Sequence, residues 1–427
     1  MIRHIFKIIW TERRINIWIL FELMLVFCII WFCVDYMAFY IQRYFEPKGF
    51  DIDRVYNINM GIKEEGIVIL GSGDDEEKEA MRNDVWTIYE RIKKYPEVEI
   101  VCISRMATPY NNSSSSNAIT TDTLVDWPRF KLVTPEFFDI FKIKIEKGRA
   151  FGWDDAVGQN LAVISDDENN TLFGNKRTEE IKTIKVGNHK DAEEYIITGV
   201  AEKSKRGEFE PYQKILYLPL KTSNKDIAYM GNTDISIRVK PGTDKDFAER
   251  FRKEMQSQIS VGHYFLSSVT SADDSRSDYM KWNDFDDNFN SIFSISTFLL
   301  INIFLGVLGT FWFRIQSRRS EIGLRIALGA SKINVRKMFI SETLILLLLS
   351  SFIAAIICVN IGLADILVDI GVPSISSMED DYSMEFKQHI VNYIFTFFIL
   401  AVISVIGVWY PSGRAAKTQP AQALKDE

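Results

Sequence analysis

Four apolar runs set the terms for everything else this chain can fold into: Ile17 to Val34, Ser291 to Phe313, Thr343 to Ala364 and Ile390 to Trp409. Each is long enough to cross a hydrocarbon layer about 30 Å thick, which takes roughly 20 helical residues. Inside that layer every backbone N–H and C=O must be satisfied within its own segment, so the runs are expected to be four transmembrane helices. Only the first carries a charge, Glu22. Such an acid is a functional candidate by default, but five residues into the run it also lies within reach of the inner interface. The mean hydropathy of the 427 residues is near zero, an average that hides a sharp division between these spans and a polar middle.

Lys and Arg near span ends are retained on the cytoplasmic side. Residues 1–14 carry Arg3, Lys7, Arg13 and Arg14 against Glu12, and residues 314–337 carry seven basic residues against Glu321. By contrast the stretch 362–388 is acidic, with Asp365, Asp369, Glu379, Asp380, Asp381 and Glu385 against Lys387. Both termini and the 314–337 loop are therefore expected inside, and the long polar middle outside. The expected order is a cytoplasmic lead-in (1–16), span one with an extension (17–45), an outer domain (46–285), span two (286–313), a cytoplasmic loop (314–337), span three (338–364), an acidic outer loop (365–389), span four (390–410) and a cytoplasmic tail (411–427). The lead-in reads as an amphipathic helix at the inner interface. No small-residue cleavage site follows the first run, so a retained anchor is expected. The formal net charge of −7 comes from the outward parts, which argues against a nucleic-acid partner.

The outer region reads as α+β. Val55 to Met60 alternates as a half-buried strand, and a further strand leads into the polar turn Gly71 to Glu77. Met81, Val85, Ile88, Tyr89 and Ile92 recur at helical spacing between Lys78 and Lys94. Strands are expected at Val98 to Ile103, Phe130 to Val133, Lys142 to Glu146, Leu161 to Ile164, Tyr195 to Val200, Ile215 to Leu218 and Ile235 to Val239. Helices are expected after Thr134-Pro135-Glu136, at Leu172 to Gly174 and at Asp244 to Met255, and Asn111 to Asn117 as an exposed loop. Two lobes are anticipated, with 155–225 as the second. Tyr279 to Phe289 is read as a helical approach to span two.

The cytoplasmic loop RIQSRRSEIGLRIALGASKINVRK carries more than topogenic charge. Gly329-Ala330-Ser331 supplies a break and then an N-cap, giving a helix, a kink and a second helix. Glu321, Ile322, Gly323, Arg325, Ala327, Leu328, Gly329, Ala330 and Ser331 resemble the coupling loop of the MacB-like and FtsX-like ABC transporter permeases, residue by residue. The chain's end is similar too: Tyr410-Pro411 closing the last span, then Arg414-Ala415-Ala416, Pro420 and Ala423-Leu424, with Ser412 where the family often has Ala. The outer domain also resembles that family's periplasmic core domain, where a helix ending in aromatics precedes a Gly-Arg, here Gly148-Arg149.

The resemblance implies a permease subunit that passes ATP-driven motion of a separate ABC ATPase subunit through spans one and two to a periplasmic domain, for export or efflux by mechanotransmission. It implies contact of the ATPase with Glu321, Gly323, Arg325 and Gly329, a homodimer or a heterodimer with a related permease, a periplasmic adaptor, an outer-membrane partner and a place in the inner membrane. An alternative is a non-transporting regulator of a periplasmic hydrolase, or a lipoprotein-release permease; the size of the outer domain favours the exporter.

The residues themselves offer no catalytic constellation. No Gly-x-x-x-x-Gly-Lys-Ser/Thr loop occurs, so ATP hydrolysis is expected elsewhere and no cofactor is implied. His4, His189, His263 and His389 are scattered, which makes a metal site unexpected, and there is no Gly-x-Ser-x-Gly elbow. Spans two to four are read as free of acids. Of the four cysteines only Cys102 lies outside a span, so no disulfide framework is expected.

Overall fold

A computed structural model describes residues 10–415 except 12, 114, 121–124, 156–159, 166–181, 188–191, 222–226, 228–232, 365, 367–383 and 385. The chain divides into a helical unit, Met1–Gln42 with Phe285–Glu427, and a globular unit, Arg43–Asp284. Helix α1 runs Arg13–Phe45.

The globular unit follows as β1 (Val55–Ile62), α2 (Glu64–Ser72), α3 (Asp75–Lys93), β2 (Val98–Arg105), β3 (Ser115–Ser116), β4 (Ile119–Thr120), β5 (Val125–Asp126), β6 (Arg129–Val133) and α4 (Phe137–Ile140). It continues with β7 (Ile145–Gly148), β8 (Leu161–Ser165), β9 (Thr183–Val186), β10 (Glu193–Ala201), β11 (Ile215–Pro219), β12 (Thr233–Val239), α5 (Phe247–Met255), β13 (Tyr264–Ser271) and α6 (Ala272–Trp282). The strands make one mixed sheet in the order β13-β1-β12-β2-β6-β11-β8-β10-β9-β4-β5, with β3 on β6 and β7 on β10. β6 with β11 and β8 with β10 are parallel.

Two apolar clusters sit on this sheet. One is built from Met81, Val85, Ile88 and Ile92 of α3, Phe247 and Phe251 of α5, and inward residues of β1, β2, β12 and β13. The other joins Ile119, Ala162, Ile164, Ile184, Leu216 and Leu218. Between them the ladder narrows to two residue pairs, Ser104↔Val133 and Arg105↔Leu132. The second cluster draws on Ile119, well before residue 155, because β4 pairs with β9. The helix expected from periodicity is capped by a reciprocal Asp74/Glu77 box, which satisfies two of the orphan N–H groups at its start.

Several local expectations fail for identifiable reasons. The stretch before Gly71 is helix α2, not a strand: a short apolar run such as Ile67 to Leu70 has no periodicity to separate the two, and Glu64 and Glu65 suit a helix N-terminus. Lys142 has φ +49°, so the strand starts only at Ile145. Within the Asn111 to Asn117 tract, Ser115 and Ser116 pair with β6 as β3. The approach to span two is interrupted, because Asn283 ends α6 and Asp284 adopts φ +54°; Asp tolerates that left-handed conformation and stops a helix there. Leu172 to Gly174, most of the lead-in and most of the acidic outer loop lie outside the described residues.

The helical unit adds α7 (Phe285–Ser317), α8 (Arg319–Ala327), α9 (Lys332–Leu363) and α10 (Phe386–Ala415). Four of its helices, α1, α7, α9 and α10, are long and apolar enough to cross a membrane. Leu23, Phe27 and Trp31 of α1, Val307 and Phe311 of α7, Phe339 and Leu346 of α9, and Leu400 of α10 form a common core. Phe298, Phe313, Phe352 and Phe398 stay exposed on their outer faces. Apolar residues all round a helix are what a lipid surround requires. α10 does not end at Pro411 as expected but continues to Ala415. The carbonyl of Gly407 loses its intrahelical donor there, and the next residue, the buried Ser412, donates its hydroxyl to the Val408 carbonyl at 2.7 Å. A Cβ at Gly407 would meet Val307 Cγ1 at 3.2 Å, so this glycine lets α10 approach α7 closely.

Candidate coupling site on the 314–337 loop

The sequence EIGLRIALGAS forms α8 and the turn after it. The turn closes as a Schellman motif: Ala330 N–H donates to Arg325 O at 2.9 Å and Gly329 N–H to Ile326 O at 3.0 Å, with Gly329 at φ +94°. That backbone is cheap only for glycine. Ser331 then caps α9, its side chain accepting from Asn334 N–H at 3.3 Å.

The faces of α8 divide the candidate residues. Ile322 is 2% exposed and belongs to the core of the helical unit, and Gly323 is buried with it. Glu321 and Arg325 do not project separately; one turn apart, they pair at 2.6 Å, and Arg325 also touches Met338 Sδ of α9 at 3.1 Å. The outward surface is apolar: Leu324 and Ala327 on α8, Leu328 just after it and Ile333 on α9, Leu328 being 80% exposed. Leu324 and Ile333 were not singled out from sequence. Their signal was present, since at i, i+3 and i+4 Leu324, Ala327 and Leu328 form a stripe opposite Ile322.

Beneath the loop lies a buried ion cluster that sequence reading missed. Glu342 is 1% exposed in α9, and both arginines that precede α8 reach it: Arg314 Nη2 at 2.7 Å and Arg318 Nη1 at 3.3 Å. Arg314 Nη2 also donates to Asn16 Oδ1 of α1 at 2.9 Å. The expectation that spans two to four lack acids is thus corrected: Glu342 lies inside helix α9, one residue before the apolar run. Two of the seven loop cations are internal partners rather than surface charge. A carboxylate this buried is stable only when paired and hydrogen-bonded.

A second polar tie joins α1 to α10. Asp35, 2% exposed, accepts from Asn392 Nδ2 at 2.7 Å and lies 2.7 Å from His389 Nδ1. His389, scattered in sequence, is therefore placed against a carboxylate 354 positions away. Along α1, Asn16 and Asp35 are about 28 Å apart at 1.5 Å per residue, close to the thickness of the hydrocarbon layer. Glu22 lies between them, beside Gly306 of α7, where a Cβ would meet its carboxylate at 2.4 Å.

Comparison with known proteins bears on both units. Residues 36–254 match the MacB-like periplasmic core domain, and residues 293–420 match the FtsX-like permease C-terminal domain. The macrolide export ATP-binding/permease protein MacB 1/2 of Paracoccus denitrificans is 25% identical over 312 residues, covering 69% of this chain and 41% of that protein. The probable syringafactin export ATP-binding/permease protein SyfD of Pseudomonas syringae pv. syringae is 25% identical over 303 residues, 68% of this chain and 42% of the relative. This chain thus spans 41% and 42% of the length of these two relatives. Among solved structures, the periplasmic region of MacB from Actinobacillus actinomycetemcomitans aligns with TM-score 0.33 and 15% identity, covering 54% of this chain and 95% of that one. The extracellular domain of YknZ from Gram-positive bacteria aligns with TM-score 0.32 and 13% identity, covering 50% of this chain and all of that one.

Proposed function

Because the chain belongs to the FtsX-like permeases that carry a MacB-like periplasmic core domain, we propose that it is the membrane subunit of an ABC transporter, sitting in the inner membrane with residues 46–285 in the periplasm. A separate ABC ATPase grips the 314–337 loop, and its ATP-driven motion passes along α1 and α7 to the periplasmic domain, driving export or efflux by mechanotransmission. The permease works as a pair, as a homodimer or with a related permease, together with a periplasmic adaptor and an outer-membrane partner.

The observation that carries this reading is the outward apolar stripe Leu324, Ala327, Leu328 and Ile333 on and just after a short helix seated by Ile322. Exposed leucines rimmed by charge at a cytoplasmic loop suit a protein partner. Glu321, Gly323, Arg325, Gly329, Ala330 and Ser331 then hold the shape of the surface rather than supply its contacts: the ion pair stiffens α8, Gly329 turns the chain and Ser331 starts α9. Leu328→Asp is expected to reduce co-purification of an ABC ATPase with the chain in mild detergent by about tenfold or more, since a charge in the centre of an apolar interface removes a hot spot. The variant's own unfolding midpoint should not move. Undiminished ATPase recovery with Leu328→Asp, or ATP turnover by the pure chain, would count against this reading.

Topology is tested separately. In spheroplasts a cysteine at Ser116, exposed in the globular unit, is expected to react with a membrane-impermeant thiol reagent, and one at Ser331 to stay protected. The reverse labelling would reject the orientation drawn from loop charges.

A further inference from the structure

Several cations of the globular unit are paired with carboxylates: Arg54 with Glu99, Lys142 with Asp51, Arg250 with Glu97, Arg276 with Glu208 and Lys205 with Glu46. Lys131 is placed differently. It lines a depression that also receives Arg129 and Arg206, together with Thr108, Ser113 and Gln213. Among the described residues no carboxylate lines this depression and none pairs with Lys131, whose ammonium instead lies 5.7 Å from the centre of the Tyr217 ring.

We propose that this depression is a binding site for an anionic group, the terminal oxygens of a carboxylate or phosphate on a small ligand outside the membrane.

The strand geometry brings the cations together. Arg129 and Lys131 are two apart on β6 and so project from the same face, and the register sets Lys131 beside Tyr217 of the parallel neighbour β11. Arg206 comes from the segment that closes on itself through the Ser204↔Gln213 bridge, and its carbonyl accepts from Tyr110 N–H at 3.1 Å. Glu210 lies 4.0 Å from Arg206 Nε and is shared with the Tyr279 hydroxyl and Gln213 Nε2. Burial, with repulsion from Arg129 and Arg206, pulls the Lys131 ammonium down to about 7. A desolvated cation flanked by like charges is unfavourable unless an opposite charge arrives, and the hydroxyl and amide donors around it complete the ligand set an oxyanion needs. The cavity is about 10 Å³, room for roughly one water-sized group. It takes the oxygens of a head group, with the rest of the ligand outside.

The test uses the full chain in detergent, with radiolabelled phosphate and succinate as probes in equilibrium dialysis against chloride at constant ionic strength. Saturable binding of either anion at one per chain supports the site, and which one binds names the head group. Lys131→Met and Arg206→Gln should each weaken binding about tenfold or more, whereas Lys131→Arg keeps it. Succinate binding should weaken as pH rises through about 7, where Lys131 loses its proton. Lys131→Met should fold with an unchanged or higher unfolding midpoint, because it removes an unfavourable charge from the free protein. Binding of neither anion above chloride, or wild-type binding by a folded Lys131→Met variant, overturns the proposal.

Discussion

Glu342→Ala is expected to destabilise the helical unit by about 3–5 kcal/mol, the cost of removing one partner from a buried ion cluster. Glu342 is 1% exposed and receives both Arg314 and Arg318; without it two buried guanidiniums lose their shared carboxylate. Glu342→Gln should fall between, since an amide keeps a hydrogen-bond acceptor and gives up the charge. Changing both partners, Glu342→Met with Arg314→Leu, should recover part of the loss, because apolar replacement of a whole buried pair is often neutral. Thermal unfolding in mild detergent, followed by helix signal, reads all three. An unchanged midpoint for Glu342→Ala would mean that water already reaches the cluster. The same variant is expected to lose ATPase recovery, because Arg314 and Arg318 lead directly into α8 and their anchoring sets its seat.

The second large effect is expected at Lys205, whose side chain is fully buried and donates to the Arg43 carbonyl at 2.7 Å and to Glu46 Oε2 at 2.5 Å. These bonds hold the last turn of α1 within the globular unit. Each charge-assisted bond contributes about 1.5–3 kcal/mol, so Lys205→Met should release that turn while leaving the fold in place. The backbone bond from Lys205 N–H to Lys48 O at 3.0 Å and that from the Tyr212 hydroxyl to Pro47 O at 2.9 Å remain. Amide exchange across residues 43–48 is expected to rise about tenfold or more, with the α3 amides unchanged. If α1 is the lever proposed above, the assembled transporter should still turn over ATP but lose its periplasmic output. Unaltered exchange at residues 43–48 would show that other contacts hold the helix end.

The limits of sequence reading follow from how far apart interacting residues lie. The helix at Asp75–Lys93 was legible because Met81, Val85, Ile88, Tyr89 and Ile92 repeat at its own period, and all five are buried. The Gly329 turn was legible because one residue type answers to one backbone conformation. The stretch Ile67 to Leu70 was not, because a short apolar run satisfies helix and strand alike. For the 314–337 loop, the residues that match the family were visible, but where each side chain points was not. Ile322 faces inward, Glu321 and Arg325 satisfy each other, and the exposed stripe includes Leu324 and Ile333.

What the sequence determined by itself are the properties that depend on runs and local spacing: four apolar helices long enough to span a membrane, the α+β character of the region between the first two of them and the turn between α8 and α9. Tertiary structure alone decided which polar groups meet. Arg314 and Glu342 are 28 positions apart, Asp35 and His389 are separated by 354, and Lys131 lies 75 positions before Arg206. No periodicity encodes such pairs, because they are selected by the packing of whole helices and strands. The free energy of a buried charge depends on that packing rather than on its neighbours in the chain.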